Sequence, residues 1–136
     1  MTADLIALAV VGAHLSGQPL NHQLVDLNAK FVASMQTAND YRLFALETVP
    51  PKPGLQRVPD GAGVAIDVEV WKLPAKEFGI FVAGLPQPMA IGKIVLSDGS
   101  AVSGFLCESI ATDEALDISS FGGWRAYLSS LDAVTP

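Results

Sequence analysis

The sequence is poor in cysteine and in positive charge, and both shortages exclude classes of function. One cysteine, Cys107, in 136 residues cannot form an internal disulfide or a thiolate zinc site. Eight Lys and Arg residues stand against 14 Asp and Glu residues, so the net charge of −6 lacks the positive field that nucleic-acid binding needs. We therefore expect no nucleic-acid partner. The lone thiol suits a reducing, cytoplasmic location.

Long hydrophobic runs are also missing. The longest, Leu5 to Ala13, is about half of what a bilayer span requires, so we expect no membrane partner. Asp4 precedes this run and no Lys or Arg lies upstream, which argues against a secretory leader. The sequence contains no nucleophile elbow, Walker loop, dinucleotide fingerprint or His-Glu-x-x-His motif, so serine hydrolases, nucleotide-binding proteins and zincins have no support.

What the sequence does contain is apolar material in short segments. Half of the residues are hydrophobic, and 12 Gly and 9 Pro divide the chain frequently, which favours strands with a few short helices. We expect one domain over 1–136 of class α+β, a small curved mixed β-sheet or barrel flanked by short helices. Its six predicted strands are 5–11, 30–35, 41–47, 64–73, 91–96 and 101–108, the last two joined by a turn at Asp98-Gly99.

The remaining segments are predicted to be helices or loops. Helical turns are expected over 19–27, after Pro74 as far as Gly79, from Thr112, and from Ser119 or Ser120 through Leu131. The proline-rich stretch 50–54 cannot donate a regular ladder of hydrogen bonds, so we expect an extended loop there.

The loop Gly12–Gly17, directly after the first strand, is the best candidate for a functional site. Small residues let backbone N–H groups approach a ligand carboxylate. His14, in its centre, has an ordinary pKa of about 6.5, which suits proton transfer or carboxylate binding. The alternative is a turn in which His14 bonds only to backbone carbonyls.

Other polar residues are more ambiguous. Arg57, at the end of the stiff stretch 50–57, could form a fork onto a carboxylate, or the stretch could simply connect two strands. Glu69 could face a barrel interior with a raised pKa or, beside Asp67, lie in solvent; Glu108 has the same two options. His14 and His22 lack helical i, i+4 spacing, so we expect no metal. Cys107 is expected to be buried and unreactive.

Several motifs together resemble the C-terminal domain of allophanate hydrolases. The likeness covers nearly the whole chain in order, and its motifs are Val10-Val11-Gly12-Ala13-His14-Leu15-Ser16-Gly17, Pro19-Leu20-Asn21, Tyr41-Arg42-Leu43-Phe44-Ala45-Leu46, Pro51-Lys52-Pro53-Gly54-Leu55, Glu69-Val70-Trp71, Phe78-Gly79, Ile91-Gly92, Asp98-Gly99, Gly104-Phe105-Leu106-Cys107-Glu108 and Gly122-Gly123-Trp124-Arg125-Ala126-Tyr127-Leu128.

This resemblance implies a fold similar to that of γ-glutamylcyclotransferases. Phe78-Gly79 stands near where those enzymes carry a glutamate base, so cyclotransferase activity is not expected. The resemblance also implies an activity, the decarboxylation of N-carboxycarbamate, with His14 as the catalytic residue. In allophanate hydrolases an amidase domain makes that compound, and we expect this chain to lack such a domain. The expected substrate-binding residues are Gly12, Ala13, Leu15, Asn21, Pro53, Gly54, Leu55 and Arg57.

Two hypotheses follow from the resemblance. In the first, the chain is an enzyme that acts on a small carboxylated urea- or amide-type compound without metal or organic cofactor. That compound is either a product passed from a separate amidase or another small substrate. In the second, it is a non-catalytic module that binds a metabolite or stabilises an amidase partner. The high hydrophobic content also leaves room for a homodimer.

Overall fold

The apolar run near the N-terminus forms the central strand of the larger of two sheets. In the computed structural model, which describes residues 4–133, β1 (Leu5–Val10) pairs antiparallel with β5 (Asp67–Pro74) and parallel with β7 (Ala101–Cys107). The edge strands β2 (Lys30–Gln36) and β6 (Met89–Val95) complete the order β2-β5-β1-β7-β6. Because β1 has a strand on each side and is covered on both faces, its second half is fully buried.

A smaller sheet packs beside the first and makes the whole structure curve like a barrel. In it β3 (Tyr41–Leu46) lies between β4 (Lys52–Arg57) and β8 (Leu116–Asp117). A single bridge from Thr37 to Leu96 links the ends of the two edge strands of the larger sheet, β2 and β6. A second bridge, from Tyr41 to Val64, links β3 to the segment that precedes β5. The α+β class and the curved mixed architecture are therefore confirmed, although residues 4–133 form eight strands in two sheets rather than six.

The prediction of an unpaired loop over 50–54 is wrong from Lys52 onward. Pro53 lies opposite Ala45 and Gly54 lies opposite Phe44 in the β3–β4 ladder. Because β4 has a paired strand on one side only, a proline there can direct its nitrogen away from the ladder.

The helices lie outside the sheets and differ from prediction at their ends. α1 (Asn21–Asp26) and α2 (Ala75–Ala83) occupy predicted positions, but α2 continues through Gly79. A helical glycine costs only about 1 kcal/mol, and the later turn buries Phe81. α3 (Trp124–Ala133) begins after Gly122, whose φ of 77° ends a preceding 3-10 turn over 119–121.

The helix predicted from Thr112 is also wrong. A 3-10 turn, Ser109–Ala111, precedes this residue, and the Thr112 hydroxyl donates a hydrogen bond back to the carbonyl of Ser109 at 2.9 Å. The chain then extends into β8 to pair with β3. Among residues 4–133, no helix has the length and apolar character needed to cross a membrane.

Candidate functional site

The loop after β1 is folded against α1 and leaves several backbone donors without partners. Leu15 N–H donates to Gly12 O at 2.9 Å, and the Asn21 side chain donates to His14 O at 2.8 Å. No residue between 4 and 133 accepts a hydrogen bond from the backbone N–H groups of Gly12, Ala13 or His14, and all three residues are buried. Unpaired N–H groups are rare in protein interiors, and successive ones form anion-binding sites.

These residues line a cavity of about 520 Å³ between the loop, α1, α2 and β4. Four of the predicted site residues, Gly12, Ala13, His14 and Pro53, lie on its wall. Glycine is required at position 12 because a Cβ atom there would lie 2.1 Å from Cδ of Pro53. The sequence of the loop thus lets β4 pack directly against it, which brings two distant motifs together.

His14 is held in the cavity wall by aromatic rings and one hydrogen bond. Its ring stacks on Phe105 at 4.9 Å and meets the edge of Phe81 at 5.2 Å between ring centroids. Nε2 donates to Oε1 of Gln23 at 2.7 Å, so in the neutral ring Nδ1 is the free acceptor. Burial lowers the pKa of His14 below its ordinary 6.5, and the charge of Lys52 lowers it further, against the opposing effect of the Gln23 bond.

Lys52 is the positively charged residue of the cavity and the one that sequence reasoning missed. It is only 8% exposed and lines the cavity beside His14. The ion pairs among residues 4–133 are Arg42–Asp117, Arg57–Asp40 and Arg125–Glu69, and none of them includes Lys52. Its side chain is largely buried, but the ammonium group has no carboxylate partner and keeps contact with solvent, so an anionic ligand in the cavity can pair with it. The sequence feature that could have identified Lys52 is its position between two prolines in the motif Pro51-Lys52-Pro53-Gly54-Leu55.

The other predicted binding residues lie outside the cavity wall. Arg57 is five residues beyond Lys52 along β4, roughly 16 Å away, and pairs with Asp40 at 2.7 Å. Gly54 packs against Cys107, and Leu55 is in the core. Leu15 is buried on the opposite side of the loop, and Asn21 acts on the loop backbone.

Glu69 matches neither of the two options that the sequence left open. It is 4% exposed, and its pKa is nevertheless lowered. Burial would raise that pKa, but donors outweigh it: Ser16 N–H at 2.8 Å, Arg125 at 3.0 Å, Trp71 at 3.2 Å and the Ser16 hydroxyl at 3.0 Å. Glu69 therefore anchors the far side of the site loop as a carboxylate.

The remaining candidates lie away from the cavity. Glu108 is exposed, and His22 is exposed with its ring bonded to Pro19 O at 3.0 Å. Cys107 is buried as expected, and burial raises the pKa of its thiol to about 11. In the part of the chain that the structure describes, no three His, Cys, Asp or Glu side chains are grouped as a metal site would require.

Comparison with known proteins adds family evidence to this geometry. Residues 6–129 match the model of the allophanate hydrolase C-terminal domain. The urea amidolyase of Saccharomyces cerevisiae is 42% identical over 130 residues, which cover 93% of this chain and 7% of that protein. This chain therefore spans only a small part of the length of its curated relatives.

Solved structures agree with this similarity. Kluyveromyces lactis allophanate hydrolase superposes with a TM-score of 0.90 at 43% identity, covering 94% of this chain and 22% of that one. A uropathogenic E. coli-specific protein gives a TM-score of 0.86 at 37% identity and is covered over 98% of its length. A γ-glutamyl cyclotransferase, at 13% identity and a TM-score of 0.59, has the same fold, which confirms the fold expected from the resemblance.

Proposed function

Because this chain belongs to the allophanate hydrolase C-terminal domain family, we propose that it binds a small carboxylated compound of the urea type and catalyses its decarboxylation. The observation that carries the proposal is the His14 cluster, defined as His14, Gln23, Lys52 and the free N–H groups of Gly12 and Ala13. Its cation and unpaired donors favour carboxylates, and its histidine has one free ring nitrogen.

The chemistry follows from placing N-carboxycarbamate, ⁻OOC–NH–COO⁻, in this cluster. One carboxylate accepts hydrogen bonds from the loop N–H groups, and Lys52 neutralises negative charge. The C–N bond to the other carboxylate breaks, carbon dioxide leaves, and the nitrogen takes a proton to give carbamate. The balance is one proton consumed, which protonated His14 delivers from Nδ1 while Nε2 remains bonded to Gln23.

The two negative charges of the substrate also favour the protonated form of His14, which is the proton donor. Without ligand, burial and Lys52 keep His14 neutral near pH 7, because both lower its pKa. Two negative charges in the same cavity favour the protonated ring and let it take a proton from water. The substrate therefore creates the acid that the reaction uses.

We propose that a separate amidase supplies the substrate. Support comes from relatives named allophanate hydrolase and urea amidolyase, in which the matched region is a small part of a longer chain. N-carboxycarbamate, with two carboxylates on one nitrogen, would be the product of that amidase and the substrate of this chain.

The test combines binding with turnover. Malonate, in which CH₂ replaces NH, is titrated into ¹⁵N-labelled protein; we expect localised shifts at Gly12–His14. Lys52→Met should weaken malonate binding about 10- to 100-fold, as loss of a charge-assisted contact implies. The exposed Lys72→Met is the matched control.

Turnover is measured by stopped flow, with allophanate and a separate amidase generating the substrate in place. Carbon dioxide release should accelerate when the chain is added, and His14→Ala should reduce that acceleration about 100-fold, while the exposed His22→Ala should not. Absence of malonate shifts overturns the site. Malonate binding without acceleration overturns decarboxylation and leaves a carboxylate-binding domain.

A further inference from the structure

The cavity is much larger than the substrate proposed above. N-carboxycarbamate has seven non-hydrogen atoms, which at about 30 Å³ each, the share of a water molecule in the liquid, fill roughly 200 Å³. The cavity measures about 520 Å³, within the range of roughly 300–1,000 Å³ that holds drug-sized ligands. More than half of the space therefore lies beyond the volume that this substrate occupies.

The part of the wall outside the His14 cluster is apolar. We define the apolar wall as Leu20, Val49, Ile80, Leu85 and Met89. Among the lining residues Lys52 is the only one with a charged side chain, so a second ionic group has no partner elsewhere in the cavity. Val49 is 98% exposed and Ile80 is 52% exposed, which leaves hydrocarbon surface in water unless a ligand covers it.

The apolar wall and the His14 cluster belong to one continuous cavity. A single molecule with a carboxylate at one end and hydrocarbon at the other would satisfy both. A second ionic molecule would not, because the apolar wall offers it no counter-charge.

We propose that the cavity also takes a larger substrate, an N-carboxylated amide, R–CO–NH–COO⁻, in which R is an apolar group of about three to six carbons that lies on the apolar wall. This rests on the proposed function, since the same cluster holds the reacting end: Lys52 pairs with the carboxylate that leaves, and the loop N–H groups bond to the neighbouring carbonyl oxygen, which takes the place of the second carboxylate. The reaction balances as before: the N–COO⁻ bond breaks, carbon dioxide leaves, and the nitrogen gains one proton, which gives the amide R–CO–NH₂.

Stable analogues test the size of R. In malonamate, H₂N–CO–CH₂–COO⁻, a CH₂ group replaces the reacting NH, and N-ethyl-, N-butyl- and N-hexylmalonamate extend it with hydrocarbon. Dissociation constants are measured by calorimetry on the full chain, with malonate as the reference anion. Each added methylene should tighten binding up to about fourfold until the wall is covered.

Two variants keep the test specific. Ile80→Asn should reduce the ratio between the malonamate and N-butylmalonamate dissociation constants at least fivefold. Ile110→Asn changes an apolar residue that is 76% exposed outside the cavity and should leave that ratio unchanged.

The outcomes separate the two proposals. If malonate binds but the alkyl series binds no tighter than malonamate, the apolar subsite is overturned and the proposed function stands. If neither malonate nor any malonamate binds, both fall. If the series is flat and Ile80→Asn instead converts a dimer to a monomer by light scattering, the apolar wall is a contact between copies, which also overturns the subsite.

Discussion

The two sides of the site loop are built in opposite ways. On one side, the His14 cluster contains the ammonium group of Lys52, which has no carboxylate partner, and backbone donors that no residue from 4 to 133 satisfies. On the other, the Glu69 cluster, defined as Glu69, Ser16, Trp71 and Arg125, satisfies a buried carboxylate with four hydrogen bonds. Only a few residues of backbone separate them.

This difference assigns ligand binding to the His14 cluster and support of the loop to the Glu69 cluster. A satisfied buried polar network adds rigidity and specifies one arrangement, whereas an unsatisfied one costs stability unless a ligand completes it. The Glu69 cluster holds the loop from behind, and Arg125 also donates to Ser16 O at 2.6 Å. The loop is thereby fixed before a ligand arrives, which reduces the cost of binding.

The largest effect on folding should come from the satisfied side. Glu69→Gln places an amide N–H₂ among donors and should lower the free energy of unfolding by about 1–3 kcal/mol. The pKa of Glu69 is lowered in the folded state, so its contribution is present above the ordinary value of 4.5 and is lost as the pH falls. Urea unfolding at pH 7 and at lower pH measures both effects. A loss no greater than that of the exposed Glu108→Gln would contradict the anchoring role.

The unsatisfied side should depend less on its charge for stability. Lys52→Met keeps most of the side-chain volume and removes an ammonium group that has no carboxylate partner, so the free energy of unfolding should change by less than about 1 kcal/mol. The same urea experiment measures it, with Lys72→Met as the control. A loss of stability similar to that of Glu69→Gln would show that Lys52 has a structural partner and would remove the contrast between the two sides.

The smallest expected effect is a shift in the pKa of His14. The ring of His14, followed by NMR, should titrate below 6.5, and malonate should move its pKa back upward. Because the folded state binds this proton less readily than the unfolded state, the stability linked to His14 is present above pH 6.5 and declines on acidification. Protein unfolded in urea supplies the reference. Titration of the folded ring at or above that reference would mean that burial and Lys52 do not act on it.

Sequence patterns predicted the local features well and the contacts between distant segments poorly. The continuous apolar run gave β1, the Asp98-Gly99 turn gave the hairpin of β6 and β7, and the small residues after β1 marked the site loop. Each of these depends on neighbours in the chain.

Three of the features that the sequence did not predict depend on contacts between distant segments. Pairing of Pro53 depends on β4 being an edge strand, which only the packed sheets reveal. The choice between Lys52 and Arg57 depends on which end of β4 meets the loop after β1. Glu69 keeps its charge because donors arrive from the loop and from α3, 53 and 56 residues away in sequence.

The contact of Gly12 with Pro53 couples two positions that a family alignment would treat as independent columns. Any side chain at position 12 enters the proline ring, so the glycine can be exchanged only together with a change on β4. A single substitution of Gly12 is therefore expected to be selected against, and a larger residue at position 12 requires a second substitution on β4. The part of the cavity that holds the carboxylate is therefore expected to evolve more slowly than the apolar wall, where one apolar side chain can replace another at the exposed Val49 or Ile80 without a second change.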